Sequence, residues 1–170
     1  MQNVTVLIGL PGSGKGTVAR EMVKNAHITG KRRIVIVSLD NIREMLNGEY
    51  FFDDAMELMV WTISRAAIHI ALRNHYDIII DDSLLSATAR NRDYLCGFLR
   101  SLESDIGRLS ITAMQLQTPL SVCIDRRMAE PRSYAPEKWR EVITRIYEMY
   151  EPICDPDSAA HSCFDRVVLI

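Results

Sequence analysis

The segment GLPGSGKGT, residues 9–17, constrains this chain more than any other. It follows residues 4–8 (VTVLI), a continuous apolar run rich in β-branched residues that reads as a strand buried on both faces. From Gly14 to about position 26 the pattern becomes helical. A strand that stops in glycines and restarts as a helix leaves backbone N–H groups pointing into the turn, with no Cβ in the way. The helix N-terminus adds the positive end of its dipole, and Lys15 adds a mobile full charge. The spacing G-x-x-x-x-G-K in this setting is a phosphate cradle. Its residues are Gly9, Pro11, Gly12, Ser13, Gly14, Lys15, Gly16 and Thr17.

The rest of the chain alternates in the same way. Strands are expected at 33–38, 76–81, 110–116 and 167–170. Helices are expected at 41–48, at 53–74 with an Asp cap, at 87–104, from Pro119 in a first-turn position, and at 136–150. This alternation predicts an α/β three-layer sandwich, a mainly parallel five-stranded sheet with helices on both faces. At 170 residues the chain suits a single domain, 1–170, with residues 129–135 as a short lid. A net charge of −2 argues against a broad basic surface but leaves room for a short basic channel. No apolar run reads as membrane-spanning, and residues 1–10 lack a signal peptide's basic start and cleavage site. Cys96, Cys123, Cys154 and Cys163 form no C-x-x-C pair and read as reduced thiols, so a cytoplasmic protein without membrane contact is expected. His161 and Cys163 read as surface loop residues rather than metal ligands.

Gly16 stands where such loops usually carry a serine or threonine on Mg²⁺, and Thr17 comes one place later. The expectation is a metal with a weak direct protein shell, held by water and substrate phosphates. Asp81 or Asp82, at the end of an Ile-rich strand, would order Mg²⁺ and its waters, with Thr17 nearby. Asp40 ends the second strand, at the edge where open parallel sheets bind ligands. A carboxylate there could take the proton of an acceptor hydroxyl, and Arg43, three residues on, shares its helix face. Arg126, Arg127 and Arg132 are candidates to close over a transferred phosphoryl group. Tyr50-Phe51-Phe52 reads first as a small hydrophobic cluster under a loop, and second as a base-stacking surface. Trp61, Trp139, Met56 and Met59 read as packing residues.

The loop form G-x-P-G-x-G-K-G-T resembles that of adenylate kinases, in which the counterpart of Thr17 bonds a phosphate. The ordered set resembles the small P-loop kinases around the phage polynucleotide 5′-hydroxyl kinase domain. It comprises GLPGSGKGT, D-x-x-R at 40–43, the Asp81-Asp82-Ser83 strand end, Cys123-x-x-Arg126, and VITRIYEMYEP at 142–152. The resemblance runs through nearly the whole chain. It implies ATP as phosphoryl donor with Mg²⁺, and Lys15 and Thr17 on its phosphates. It also implies Asp40 as general base, Arg43 orienting the acceptor, and Arg126 and Arg132 at the lid. It departs at Glu130, where an arginine is expected, and at Leu84, where an asparagine is expected. The implied acceptor is a hydroxyl on nucleic acid, DNA favoured: a 5′-hydroxyl end, or a hydroxymethyl base such as 5-hydroxymethyluracil, as in phage DNA kinases. The rival enzyme reading is a nucleoside or nucleotide kinase. A non-catalytic nucleotide-binding switch is the third, and it gives Asp40 no task. Nothing in the sequence speaks to oligomeric state.

Overall fold

The computed structural model describes residues 1–30, 33–130, 135–154 and 163–170. The lid segment at 129–135 falls largely outside these residues, as do Arg132 and His161. Five strands form one sheet: β1 (Gln2–Ile8), β2 (Ile34–Ser38), β3 (Asp77–Asp81), β4 (Leu109–Gln115) and β5 (Arg166–Leu169). Their order is β2-β3-β1-β4-β5, and each described pairing is parallel. Among the described residues seven helices connect them: α1 (Lys15–Ile28), α2 (Leu39–Asn47), α3 (Asp54–Arg73), α4 (Ala89–Ser101), α5 (Glu103–Ile106), α6 (Leu120–Ala129) and α7 (Pro136–Met149). The three-layer α/β sandwich is therefore as expected.

The continuous apolar strands divide by the two-residue period. Val4, Val6 and Ile8, with Ile78 and Ile80, face a core built with Val60 and Ile68 of α3 and Leu95 and Leu99 of α4. Leu7 and Ile79 face the other way, onto Ala19 and Met22 of α1. A third cluster, Leu10 with Cys123, Ile124, Ile143 and Ile146, joins the loop after β1 to α6 and α7. The chain leaves β1 toward β2 but leaves β3 toward β4 on the opposite side, so the strand order reverses beside β1. Ligands bind at that reversal, off the carboxyl ends of the strands.

Several boundaries differ from expectation for local reasons. Helix α2 begins at Leu39 because the Ser38 hydroxyl accepts from the Asn41 N–H, which puts Asp40 in the first turn of a helix. The stretch 87–104 splits: α4 starts after the Thr88 cap, and the chain re-forms at Leu102 into the four-residue α5. Pro119 sits at the N-cap of α6, outside the first turn, where its carbonyl accepts from the Cys123 N–H. Asp53 caps α3 as expected. Helix α3 is 20 residues long and, alone among the described residues, apolar enough by length and composition to cross a membrane, a test that the core helix of a soluble protein also passes. Its apolar character comes from two sides: Val60, Ile68 and Leu72 face the core, while Leu58, Met59 and Ile70 face outward. Met59 is thus no core filler.

Candidate active site

The turn after β1 is shaped by its glycines. Gly12 (φ +85°) lies so close to α6 that an added Cβ would stand 2.3 Å from the Cys123 carbonyl oxygen. Gly14 (φ +102°) is the N-cap of α1. The loop opens onto a cleft of about 770 Å³. The cleft brings together the loop residues Pro11 to Thr17 with Asp40, Asp81 and Asp82, and with Arg126 of α6. Asn41, Ser83, Arg127 and Glu130 are among the other residues that line it. Every predicted site residue among the described ones is at this cleft except two. Gly9 forms the turn behind it, and Arg43 is buried beside it.

Lys15 is almost fully buried, its Nζ donating to the carbonyls of Gly9 and Leu10 at 2.9 Å each and to the Ser83 hydroxyl at 2.8 Å. Burial pulls its pKa below the ordinary lysine value, and the charges of Asp81, Asp40 and Asp82 pull it back up. Ser13 Oγ is buried with no hydrogen-bond partner. Thr17 is exposed, its hydroxyl within 3.3 Å of Arg20. A Cβ added at Gly16 would stand 3.4 Å from Asp81 Oδ2, so the side chain absent from the loop would have faced that carboxylate.

The two strand-end aspartates do different work. Asp82 Oδ1 accepts from the N–H groups of Leu84 and Leu85 at 2.8 and 2.7 Å, and Oδ2 lies 3.4 Å from Arg43. Burial pushes its pKa up to about 6, the nearby Asp40 charge adds to this, and Arg43 opposes it. Burial also raises Asp81, against Lys15. Asp81 is the one turned toward Gly16 and Lys15.

Arg43 is 3% exposed. Its Nε and Nη2 grip Glu57 of α3 at 2.8 and 2.9 Å, and Nη1 donates to Asp40 Oδ1 at 2.8 Å. Burial alone would lower its pKa; the Glu57 bonds and the charges of Asp82 and Asp40 reverse this and raise it. Phe52 lies against the guanidinium, 5.5 Å to the ring centroid. Arg43 therefore holds Asp40 rather than pointing into the cleft. Glu57 was not singled out from the sequence. Its signal is positional: it shares the core-facing side of α3 with Val60, Ser64 and Ile68, and a carboxylate there requires a cation.

On the opposite wall, Arg126 Nη1 approaches the Gly12 and Ser13 carbonyls at 3.4 and 3.5 Å. The Arg127 guanidinium lies 4.8 Å above the Trp139 ring and reaches the cleft. Leu84 does not line the cleft and packs on the cluster that joins Leu10 to α6 and α7. Tyr50 stacks on the buried Trp139, centroids 5.5 Å apart, whereas Phe51 and Phe52 are 47% and 37% exposed. The hydrophobic-cluster reading holds for Tyr50 alone.

The residues fit a magnesium-bound triphosphate. Asp40, Asp81 and Asp82 gather carboxylate oxygens at one cleft, the hard donors that suit a divalent cation, beside Lys15 and Arg43 and, at Asp81, within reach of the Arg20 and Arg127 charges. Among the described residues no group of three His, Cys, Asp or Glu side chains is arranged as a complete metal site. The glycine loop, the orphaned Ser13 hydroxyl and the arginines opposite suit phosphate oxygens.

Residues 4–153 match the family model described as an AAA domain, AAA_33. This chain belongs to that family. No curated protein matches it in sequence. Among solved structures it is similar to a fungal RNA kinase, with a TM-score of 0.68 and 13% identity over 99% of this chain and 38% of that one. It is also similar to a chain of the Pnkp1/Rnl/Hen1 complex, at 0.60 and 22% over 74% of this chain and 38% of that one. A third likeness is to the *Mycobacterium tuberculosis* APS kinase CysC bound to AMPPNP and APS, at 0.59 and 20% over 95% and 92%. The chain spans under half the length of the two Pnkp1/Rnl/Hen1 chains it matches. At these identities the likeness establishes a P-loop kinase-like fold.

Proposed function

We propose that this AAA-domain protein is an ATP-dependent phosphotransferase whose acceptor is a hydroxyl on nucleic acid. The observation that carries the reading is Asp40. Its carboxylate is held at 2.8 Å by a buried arginine and shares one cleft with the loop and Lys15. The loop N–H groups, Lys15 and Thr17 would hold the donor phosphates. Lys15 would exchange two backbone carbonyls for phosphate oxygens, which recovers the charge partner that burial denies it. Asp81 would hold Mg²⁺ through water, since Asp82 is committed to the turn that follows β3. Bound Mg²⁺ would supply charge neutralisation on the transferred group.

Asp40 accepts the acceptor's proton and aims its oxygen; Arg43 and Glu57 fix the carboxylate while it does so. Arg126 and Arg127 oppose charge on the phosphoryl oxygens. Phe51 and Phe52 are partly exposed, Phe52 against Arg43, and aromatic rings there would suit stacking of an unpaired base. The fold likeness to the fungal RNA kinase supports a nucleic-acid acceptor over a small molecule. The second reading, a small-molecule kinase, is favoured by the near-complete coverage of the APS kinase chain.

The test is label transfer from γ-labelled ATP into separate pools: 5′-hydroxyl RNA and DNA oligonucleotides, 5-hydroxymethyluracil DNA, and free nucleosides and nucleotides. Label in an oligonucleotide pool is the expected result. Label confined to free nucleosides or nucleotides overturns the acceptor class, and no transfer to any pool overturns the kinase reading.

A further inference from the structure

Arg20 lies on α1 one turn beyond Gly16, exposed and lining the cleft. Other cations that line the cleft are engaged elsewhere. Lys15 donates to the Gly9 and Leu10 carbonyls and to Ser83, Arg126 approaches the Gly12 and Ser13 carbonyls, and Arg127 lies on Trp139. Among the described residues the Arg20 guanidinium makes one hydrogen bond, from Nη2 to the Thr17 hydroxyl at 3.3 Å. That bond has a direction. A hydroxyl that accepts from a guanidinium keeps its own proton to donate, and an anionic oxygen is the acceptor that suits it best. The absent side chain at Gly16 leaves room for the other terminal nitrogen. A Cβ built there would stand 3.5 Å from Arg20 Nη1 and 3.4 Å from Asp81 Oδ2. The place where a loop hydroxyl would meet a metal is therefore flanked by a guanidinium and a carboxylate. The two also feel each other: burial pushes the Asp81 pKa up, and the charges of Lys15, Arg127 and Arg20 oppose it.

We propose that Arg20 is a second cation for the donor phosphates, standing in for the metal contact that Gly16 cannot make. Nη2 holds the Thr17 hydroxyl with its proton turned toward a phosphate oxygen, and Nη1 is left to face the phosphates directly. The inference rests on the reading of the cleft as an ATP site and deepens it. It does not depend on which acceptor is phosphorylated. Arg20 and Mg²⁺ then do overlapping work. Metal-free ATP brings its full phosphate charge, and there Arg20 counts most. Once Mg²⁺ neutralises part of that charge, the attraction to Arg20 falls, and a cation near Asp81 also repels the guanidinium. Arg20 thus sets how far nucleotide binding depends on the metal. A solvated arginine with no task in the cleft would leave that dependence unchanged.

Isothermal titration calorimetry of the full chain with ATP, once in EDTA and once with excess Mg²⁺, tests it, with circular dichroism to check that each variant is folded. The wild type is expected to bind ATP in both conditions. Arg20→Met, at an exposed position, is expected to raise the Kd about tenfold in EDTA and less than about threefold with Mg²⁺. Arg20→Lys keeps the charge and is expected to recover most of the loss in EDTA. An Arg20→Met protein that binds metal-free ATP as tightly as the wild type overturns the inference and leaves the ATP-site reading standing. A loss of equal size in the two conditions also overturns it, since a merely structural role would weaken both alike. So does a wild type that binds ATP only with Mg²⁺. A wild type that binds ATP in neither condition overturns the ATP-site reading, and the inference falls with it.

Discussion

At the scale of single residues, the proposed function divides the site into groups that would touch ligand and groups that hold them. Asp40 Oδ1 is fixed by Arg43, and under that proposal its other oxygen would meet the acceptor. Asp40→Asn should therefore lower kcat by roughly 10²–10⁴-fold while leaving the KM for ATP nearly unchanged, as read by steady-state kinetics. Gly12 carries a different demand. Its φ is positive, and the Cys123 carbonyl stands where a Cβ would go, so there is no place for a methyl group. Gly12→Ala should destabilise the protein by roughly 2–5 kcal/mol, visible as a fall in the denaturant midpoint. The role of Gly12 was legible in the loop motif, but the contact that forbids a side chain was not. It lies 111 residues away, in α6.

Among the elements, helices were readable and their mutual contacts were not. The strand runs, the Asp53 cap and the loop–helix junction follow from patterns within a few residues. Arg43 reads from the sequence as an arginine one turn beyond an aspartate, facing either acceptor or solvent. Only the packing of α2 on α3 shows that Glu57 holds it in a two-pronged ion pair. Glu57→Gln would strand a buried guanidinium and should cost about 3 kcal/mol in a chemical denaturation experiment. A second inter-element tie is electrostatic and titrates. Glu103 of α5 accepts from the Leu109 N–H at the start of β4 and from Arg100, and these bonds hold its pKa below the ordinary value. A carboxylate depressed in the folded state stabilises above its unfolded pKa, and that contribution is lost as pH falls through the folded value. The stability difference between wild type and Glu103→Gln should thus be full near neutrality and shrink as pH drops below about 4.5. The split of α4 from α5 belongs here too: nothing in the sequence near Leu102 breaks the apolar period, and the break follows from how Arg100 and Glu103 meet β4.

For the whole molecule, the fold was legible because alternating apolar runs leave few alternatives to a parallel sheet with helices on both faces. What the strand pattern could not show is how charge gathers where the strand order reverses. Lys15, Asp81 and Asp82 are all shifted by burial toward their neutral forms, so under the proposed function the site would gain stability as phosphate and metal brought compensating charge. ATP with Mg²⁺ at about 100 times its Kd should add roughly 2.7 kcal/mol, seen as a rise in Tm, and the gain should collapse in Lys15→Met. The apolar outward face of α3 was equally hidden, since composition reports an apolar helix without reporting which side is covered.

Asp40 and the loop are proposed to act together on one transferred phosphoryl group. A single-turnover experiment on a 5′-hydroxyl oligonucleotide, with γ-labelled ATP prebound, separates the transfer step from ATP binding. Phosphate transfer by the wild type, with Asp40→Asn binding the same ATP but transferring it at least about 100-fold more slowly, is the predicted result. Equal transfer rates in the two proteins, or transfer to none of the hydroxyl acceptors, would contradict it.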